Sequence, residues 1–375
     1  MGPDLLRAAA ILLVMLVHLP TVATPALLGD IRPFGWIGVD LFFVLSGYLI
    51  GGQLLLPFTR GQKPDLRAFY IRRSLRILPA FLVVLLFLAM VPMLRDAPSM
   101  PPLLRFLTFT MNFDLDARQT GAFTEAWSLC VEEQFYLVLP LLLLLHGRVG
   151  YKTVLAIAAG ILVGGMSLRF AVWQSSVASH LRDADPHDLF VAYLRDIYYP
   201  SYLRLDGLMF GLLLALTKTL RPALWQKYSD PRAAFAAGFA VLAIAIWLLN
   251  QRGELAPLNL PIVVQSLFGS VFGFPLLSLG FALLLVAVSA LEPALARWPI
   301  PGMRTTARLS YGLYLTHKSV MHVDQLLLSK DLLQGVTGFV IYMTSCYLVA
   351  ALLWLGVERP FLRLRERLAP ASDLR

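Results

Sequence analysis

In the first apolar run, LLRAAAILLVMLVHL, Arg7 and His18 stand eleven residues apart. At about 100° per residue this is close to three helical turns, so both side chains fall on one stripe, roughly 16 Å apart along the axis. Arg, Lys or Asp inside a membrane span costs about 2.5–3.5 kcal/mol even on lenient insertion scales, and such groups are functional or tightly paired. An imidazole at that depth can serve as a general acid or base. The plainer reading is a snorkelling Arg7 and a structural His18.

Other ionisable groups interrupt apolar stretches in the same way. FYIRRSLRILP holds Arg72, Arg73 and Arg76 at the entrance to a third span. Arg73 and Arg76 lie one turn apart on a common face, a fork suited to phosphate oxygens; as cytoplasmic helix-end cations they also fit ordinary topology determinants or lipid anchors. In GWIGVDLFFVLSGYLIGG, Asp40 sits about one turn inside a second span and needs a cationic or imidazole partner. His18 ends the first span on the same side, so Asp40 is expected to orient its ring or, more simply, to cap its helix. AWSLCVEEQFYLVLP places Glu132 and Glu133 about 100° apart, so at least one points into the bundle. One is expected to pair with Arg204 and the other to relay a proton or hold an acceptor hydroxyl. Spacing does not say which, and Glu133 joins His18 and Asp40 in the catalytic set. RLSYGLYLTHKSVMH lines up Ser310, Tyr314 and His317 at i, i+4 and i+7, a polar stripe on an apolar helix.

Several chemistries are not indicated. No metal is expected, because His317 and His322 lack the i, i+4 spacing of a helical metal pair and no H-E-x-x-H occurs. VLSGY around Ser46 is not a nucleophile elbow, and no phosphate-loop or dinucleotide motif is present. Cys130 and Cys346 stand alone in separate apolar runs, so neither a disulfide framework nor a thiolate metal site is expected.

The elements that must position these groups are membrane helices. Of 375 residues 58% are hydrophobic and 15% charged, against about a quarter charged in a soluble domain. Apolar stretches of about 20 residues predict an all-α bundle of ten spans, near 5–22, 36–56, 77–94, 126–145, 153–173, 203–217, 233–249, 264–290, 309–327 and 336–356. With both termini cytoplasmic, predicted inner segments hold 21 of the 32 lysines and arginines and outer segments hold 8, the bias expected of a polytopic protein. The net charge of +9 is thus a topology signal, and no nucleic-acid partner is expected. The first run lacks a basic leader and a small-x-small cleavage site, so it reads as a retained span. One membrane domain is expected over 1–360, followed by a basic cytoplasmic tail at 361–375. The acidic, aromatic outer segment 174–202 reads as a lid or acceptor-binding loop.

Taken together, these blocks resemble the acyltransferase 3 family of integral-membrane O-acyltransferases. The likeness rests on Arg7 with His18, GVDLFFVLSGYL at 38–49, Arg73 and Arg76, WSLCVEEQFYLVLP at 127–140, YLRLDGLMFG at 202–211, LSYGLYLTH at 309–317 and VERP at 357–360. It implies transfer of an acyl group, often acetyl, from cytoplasmic acyl-CoA to a hydroxyl of a carbohydrate or other acceptor, in a bacterial plasma (inner) membrane. It further implies a catalytic His18, an essential Arg7, and a coenzyme-binding role for Arg73 and Arg76; Arg7 and Arg72 are expected to complete the coenzyme-binding set. Many members have a tryptophan where this chain has Thr316. Some carry an appended hydrolase-like domain, and the stand-alone form is expected here. Both a general-base His18 and a transient acyl-imidazole are compatible with the sequence. The alternative from another class is a proton-coupled transporter of a small molecule or glycoconjugate, since intramembrane Arg, His, Asp and Glu also suit a carrier.

Overall fold

The computed structural model describes residues 1–145, 150–178, 186–250, 266–298 and 300–370. The predicted span start at 264, the middle of the 174–202 segment and the end of the basic tail lie outside these residues. Among the described residues all regular structure is helical, the arrangement that satisfies backbone polar groups within each segment when lipid surrounds it. The principal helices are α1 (Gly2–His18), α2 (Ile37–Thr59), α3 (Leu66–Met90), α4 (Ala126–Leu145), α5 (Tyr151–Val172), α6 (Asp206–Leu220), α7 (Pro222–Tyr228), α8 (Pro231–Leu249), α9 (Phe274–Ala290), α10 (Met303–Leu327), α11 (Gly335–Leu353) and α12 (Arg359–Leu368).

Their starts are written locally. Asp65 caps α3 by accepting from the Ala68 amide at 3.0 Å. Asp230 caps α8 by accepting from the Ala233 amide at 2.7 Å, with Pro231 in the first turn. Both are ordinary N-terminal signals. π-helical turns extend α5 through Trp173–Val177 and precede α9 at Gly269–Gly273, and such widened turns often sit at functional sites.

Seven of these helices, α2, α3, α4, α5, α8, α9 and α11, are long and apolar enough to cross a bilayer. α6 and α7 together make an eighth only as a broken pair, bent by 113°. Of the ten spans expected from the sequence, seven or eight thus meet the length and hydropathy of a membrane crossing. The two shortfalls have physical reasons. α1 has 17 residues, and α10 has 25 but carries Arg304, Arg308, His317, Lys318, His322 and Asp324. Both belong to the bundle: α1 packs on α2, α9 and α10, and α10 packs on α1 and α11.

The tightest pairing is α2 with α6. A Cβ on Gly47 would lie 2.1 Å from the Leu208 carbonyl oxygen, and one on Gly211 2.1 Å from that of Val44. Only glycine permits this backbone approach, which replaces the hydrophobic drive that helices lack in lipid. At the end of the bundle holding the N-terminus, the Met1 amine contacts Glu292 at 2.7 Å. α12, with Arg359, Arg363, Arg365 and Arg367, packs along α3.

A candidate active site in two cavities

α3 begins at Leu66, about three turns earlier than the sequence predicts, so Arg72, Arg73 and Arg76 lie within the helix rather than at its entrance. Arg73 and Arg76 line a cavity of about 120 Å³ together with Arg7 from α1, Ser46 from α2, Glu132 and Tyr136 from α4, and Tyr311 and Tyr314 from α10. Arg72 is not among the lining residues. The Arg73 guanidinium stacks 3.9 Å above the Tyr136 ring. Ser46 Oγ and the Tyr136 hydroxyl each donate to Glu132, at 2.8 Å. Arg7 pairs with Asp4 at 3.0 Å. Among the described residues, Arg73 and Arg76 form no ion pair. Arg73 and Arg76 therefore present guanidinium donors that no carboxylate among the described residues engages directly, although Glu132 shares the cavity, an arrangement suited to a phosphorylated ligand.

A second cavity, of about 110 Å³, is lined by His18 and by Trp36, Glu125, Trp127, Tyr198 and Tyr199 among others. Tyr314 lines both cavities. Its hydroxyl donates to the Glu125 carbonyl at 2.9 Å and lies 2.6 Å from Ser128 Oγ, while the Phe42 ring meets it edge-on. His18 ends α1, and its Nδ1 is 2.8 Å from the Val14 carbonyl oxygen. The next nearest polar neighbour comes from α10: Nε2 of His317 lies 3.1 Å from His18 Nδ1. His317 is fully buried. The neighbouring Thr316 donates back to the Gly312 carbonyl at 2.8 Å, leaving His317 to face α1.

The pairing of Asp40 with His18 is not what the fold provides. Asp40 forms a buried ion pair with Arg204 at 2.7 Å, and the Arg204 guanidinium also contacts the rings of Phe274 at 4.1 Å and Tyr198 at 4.3 Å. Arg204 is consequently taken, and neither span-four glutamate pairs with it. Glu132, not Glu133, faces the arginine cavity; Glu133 is outside its lining and its Oε1 is buried without a hydrogen bond. Adjacent helical residues project in different directions, and the packing of α4 decides which one turns inward.

Two further groups were not singled out from the sequence as a pair. Arg169 at the end of α5 and Asp206 at the start of α6 form a bidentate buried bridge, at 2.7 and 3.0 Å, and Arg169 also donates to the Val271 carbonyl of the π turn before α9, at 3.3 Å. An arginine inside an apolar run was the signal available. Lys318, next to His317, is held by Asp96 at 2.6 Å, Thr124 at 3.0 Å and Glu125 at 3.2 Å. Burial pushes the Glu125 carboxyl up to about 7, against the opposing pull of Lys318. Among the described residues no group of three or more His, Cys, Asp or Glu side chains is arranged to hold a metal.

The helical bundle thus sets arginines without an ion-pair partner among the described residues and the solvent-accessible ring of His18 on either side of one tyrosine. The chain belongs to the acyltransferase 3 family: that family's acyltransferase domain matches residues 2–355. It is 26% identical over 378 residues to O-acetyltransferase OatA of Staphylococcus aureus (strain NCTC 8325 / PS 47), covering 93% of this chain and 54% of that protein. It is also 26% identical over 345 residues to the "Putative O-acetyltransferase SACOL0978" of S. aureus (strain COL), covering 85% of this chain and 50% of that one. The chain thus spans about half the length of the curated relatives it matches. No solved structure matches it.

Proposed function

We propose that the protein is a membrane O-acetyltransferase that takes acetyl groups from an acyl-CoA and delivers them to a hydroxyl of a carbohydrate or other acceptor. In this reading the arginine cavity opens to the cytoplasm of a bacterial plasma membrane, with ten helices in the bundle and both termini on that side. The basic α12 beside α3 and the N-terminus bonded near Glu292 support this orientation. The carrying observation is that Tyr314 lines both the arginine cavity and the histidine cavity, so a donor held by its phosphates can reach His18 by displacing one side chain.

The chemistry follows from the residues. Arg73 and Arg76, with Arg7, hold the coenzyme phosphates by charge-assisted hydrogen bonds. The pantetheine arm extends past Tyr314 and presents the thioester to the histidine cavity. Neutral His18 takes the acceptor hydroxyl proton as that oxygen attacks the thioester carbonyl. A C–O bond forms, the C–S bond breaks, and the imidazolium returns its proton to the departing thiolate. General-base help of this kind contributes about 10²–10⁴-fold.

The test is transfer of label from radiolabelled acetyl-CoA to glycerol, used as a simple hydroxyl probe, by purified protein in detergent. Transfer that disappears in His18→Ala is expected. Detergent abolishes any gradient, so a proton-coupled carrier would show substrate binding without transfer, and that outcome overturns the proposal.

A further inference from the structure

The base mechanism requires His18 to keep a lone pair on the nitrogen that meets the acceptor, and that is a question of tautomer. Nδ1 of His317 lies 2.9 Å from the Leu313 carbonyl oxygen and 3.0 Å from that of Tyr314. Carbonyl oxygens only accept, so this nitrogen carries the proton of the neutral ring and Nε2 of His317 is left as an acceptor. His18 Nδ1 therefore faces two acceptors, Nε2 of His317 at 3.1 Å and the Val14 carbonyl oxygen at 2.8 Å. It must be protonated.

We infer that His317 is a positioning residue that, together with the Val14 carbonyl, locks His18 as the Nδ1–H tautomer and leaves Nε2 of His18 free to receive the acceptor proton. The inference rests on the acyltransferase reading above and deepens it. The direction of the relay is set by backbone: the carbonyls of α10 orient His317, and His317 orients His18. When His18 takes up a proton, its Nδ1–H donor becomes cationic and the same bond strengthens. Among the described residues no carboxylate forms an ion pair or hydrogen bond with either ring. Asp40 is committed to Arg204, while Asp96 and Glu125 are committed to Lys318. Arg32 approaches from the turn before α2 but spends its Nε on the Leu19 carbonyl at 2.8 Å. A neutral imidazole thus occupies the place that a buried aspartate holds behind the histidine of a serine-hydrolase triad.

The chain has six histidines, few enough for ¹⁵N-histidine labelling of the whole protein in detergent. The expected spectrum shows His18 protonated on Nδ1 and bare on Nε2. His317→Phe leaves the Val14 carbonyl as the sole acceptor for Nδ1–H and should let a measurable minor fraction of the Nε2–H form appear; His317→Gln, whose amide oxygen can stand where Nε2 was, should restore the single form. In the acetyl-CoA-to-glycerol assay His317→Phe should lower kcat by ~10²-fold, the scale of a misplaced catalytic group. KM for acetyl-CoA should stay constant, and His317→Gln should recover most of the loss. A wild-type His18 protonated on Nε2, or an unchanged tautomer in His317→Phe, overturns the inference even if acetyl transfer is intact. Absence of transfer together with the expected spectrum would instead overturn the acyltransferase reading alone.

Discussion

The two cavities beside Tyr314 treat charge in opposite ways. Around the arginine cavity, Arg73 and Arg76 are inward-facing cations without a carboxylate partner among the described residues, although Glu132 shares the cavity with them. Around the histidine cavity the formal charges are spent: Lys318 on Asp96 and Glu125, Arg204 on Asp40. What remains there is an imidazole pair and an aromatic wall. The contrast separates two meanings of an intramembrane ion. A paired one holds helices together, and an unpaired one waits for a ligand.

Substitutions can break this contrast at either end. The largest effect is expected from His18→Ala, which should reduce acetyl transfer by ~10²–10⁴-fold while equilibrium binding of acetyl-CoA is retained; wild-type turnover would remove the chemistry from the histidine cavity. Asp40→Ala leaves Arg204 buried without its partner. It should cost about 3–5 kcal/mol of stability, read as a lowered thermal midpoint in detergent and poor recovery of folded protein. If the midpoint holds but transfer fails, Asp40 has a chemical role that its ion pair conceals. Arg73→Ala with Arg76→Ala should do the reverse. Losing two charge-assisted bonds worth about 1.5–3 kcal/mol each should raise KM for acetyl-CoA by ~10²–10⁴-fold with the thermal midpoint unmoved. The smallest change is Ser46→Ala, which deletes one hydrogen bond to Glu132 and should weaken donor binding by about 1 kcal/mol, seen in the same titration.

Much of this arrangement is legible in the sequence. The eleven-residue interval between Arg7 and His18, the arginine fork and the stripe through Ser310, Tyr314 and His317 all lie on single helices, where spacing alone fixes the face. Pairings between helices were not. Asp40 was expected beside His18 because both lie near the same predicted membrane face, yet α2 packs on α6 so closely, through Gly47 and Gly211, that Asp40 meets Arg204. The choice between Glu132 and Glu133 turned on a rotation of α4 that hydropathy does not encode. The span count fell short for a related reason: hydropathy records composition, and α10 is polar because its neighbours are protein. His317 was visible as a buried polar residue, but its role depends on a partner 299 residues away in sequence.

The ion pair between Asp40 and Arg204 also constrains how the chain is made. The carboxylate leaves the ribosome 164 residues before its guanidinium, whereas Asp206 follows Arg169 after only 37. During synthesis α2 therefore enters the bilayer carrying an acid with no counter-ion yet translated, and its stable seating must await the start of α6. Chains that end before Arg204 are therefore expected to be degraded faster in the membrane than chains that extend through α6.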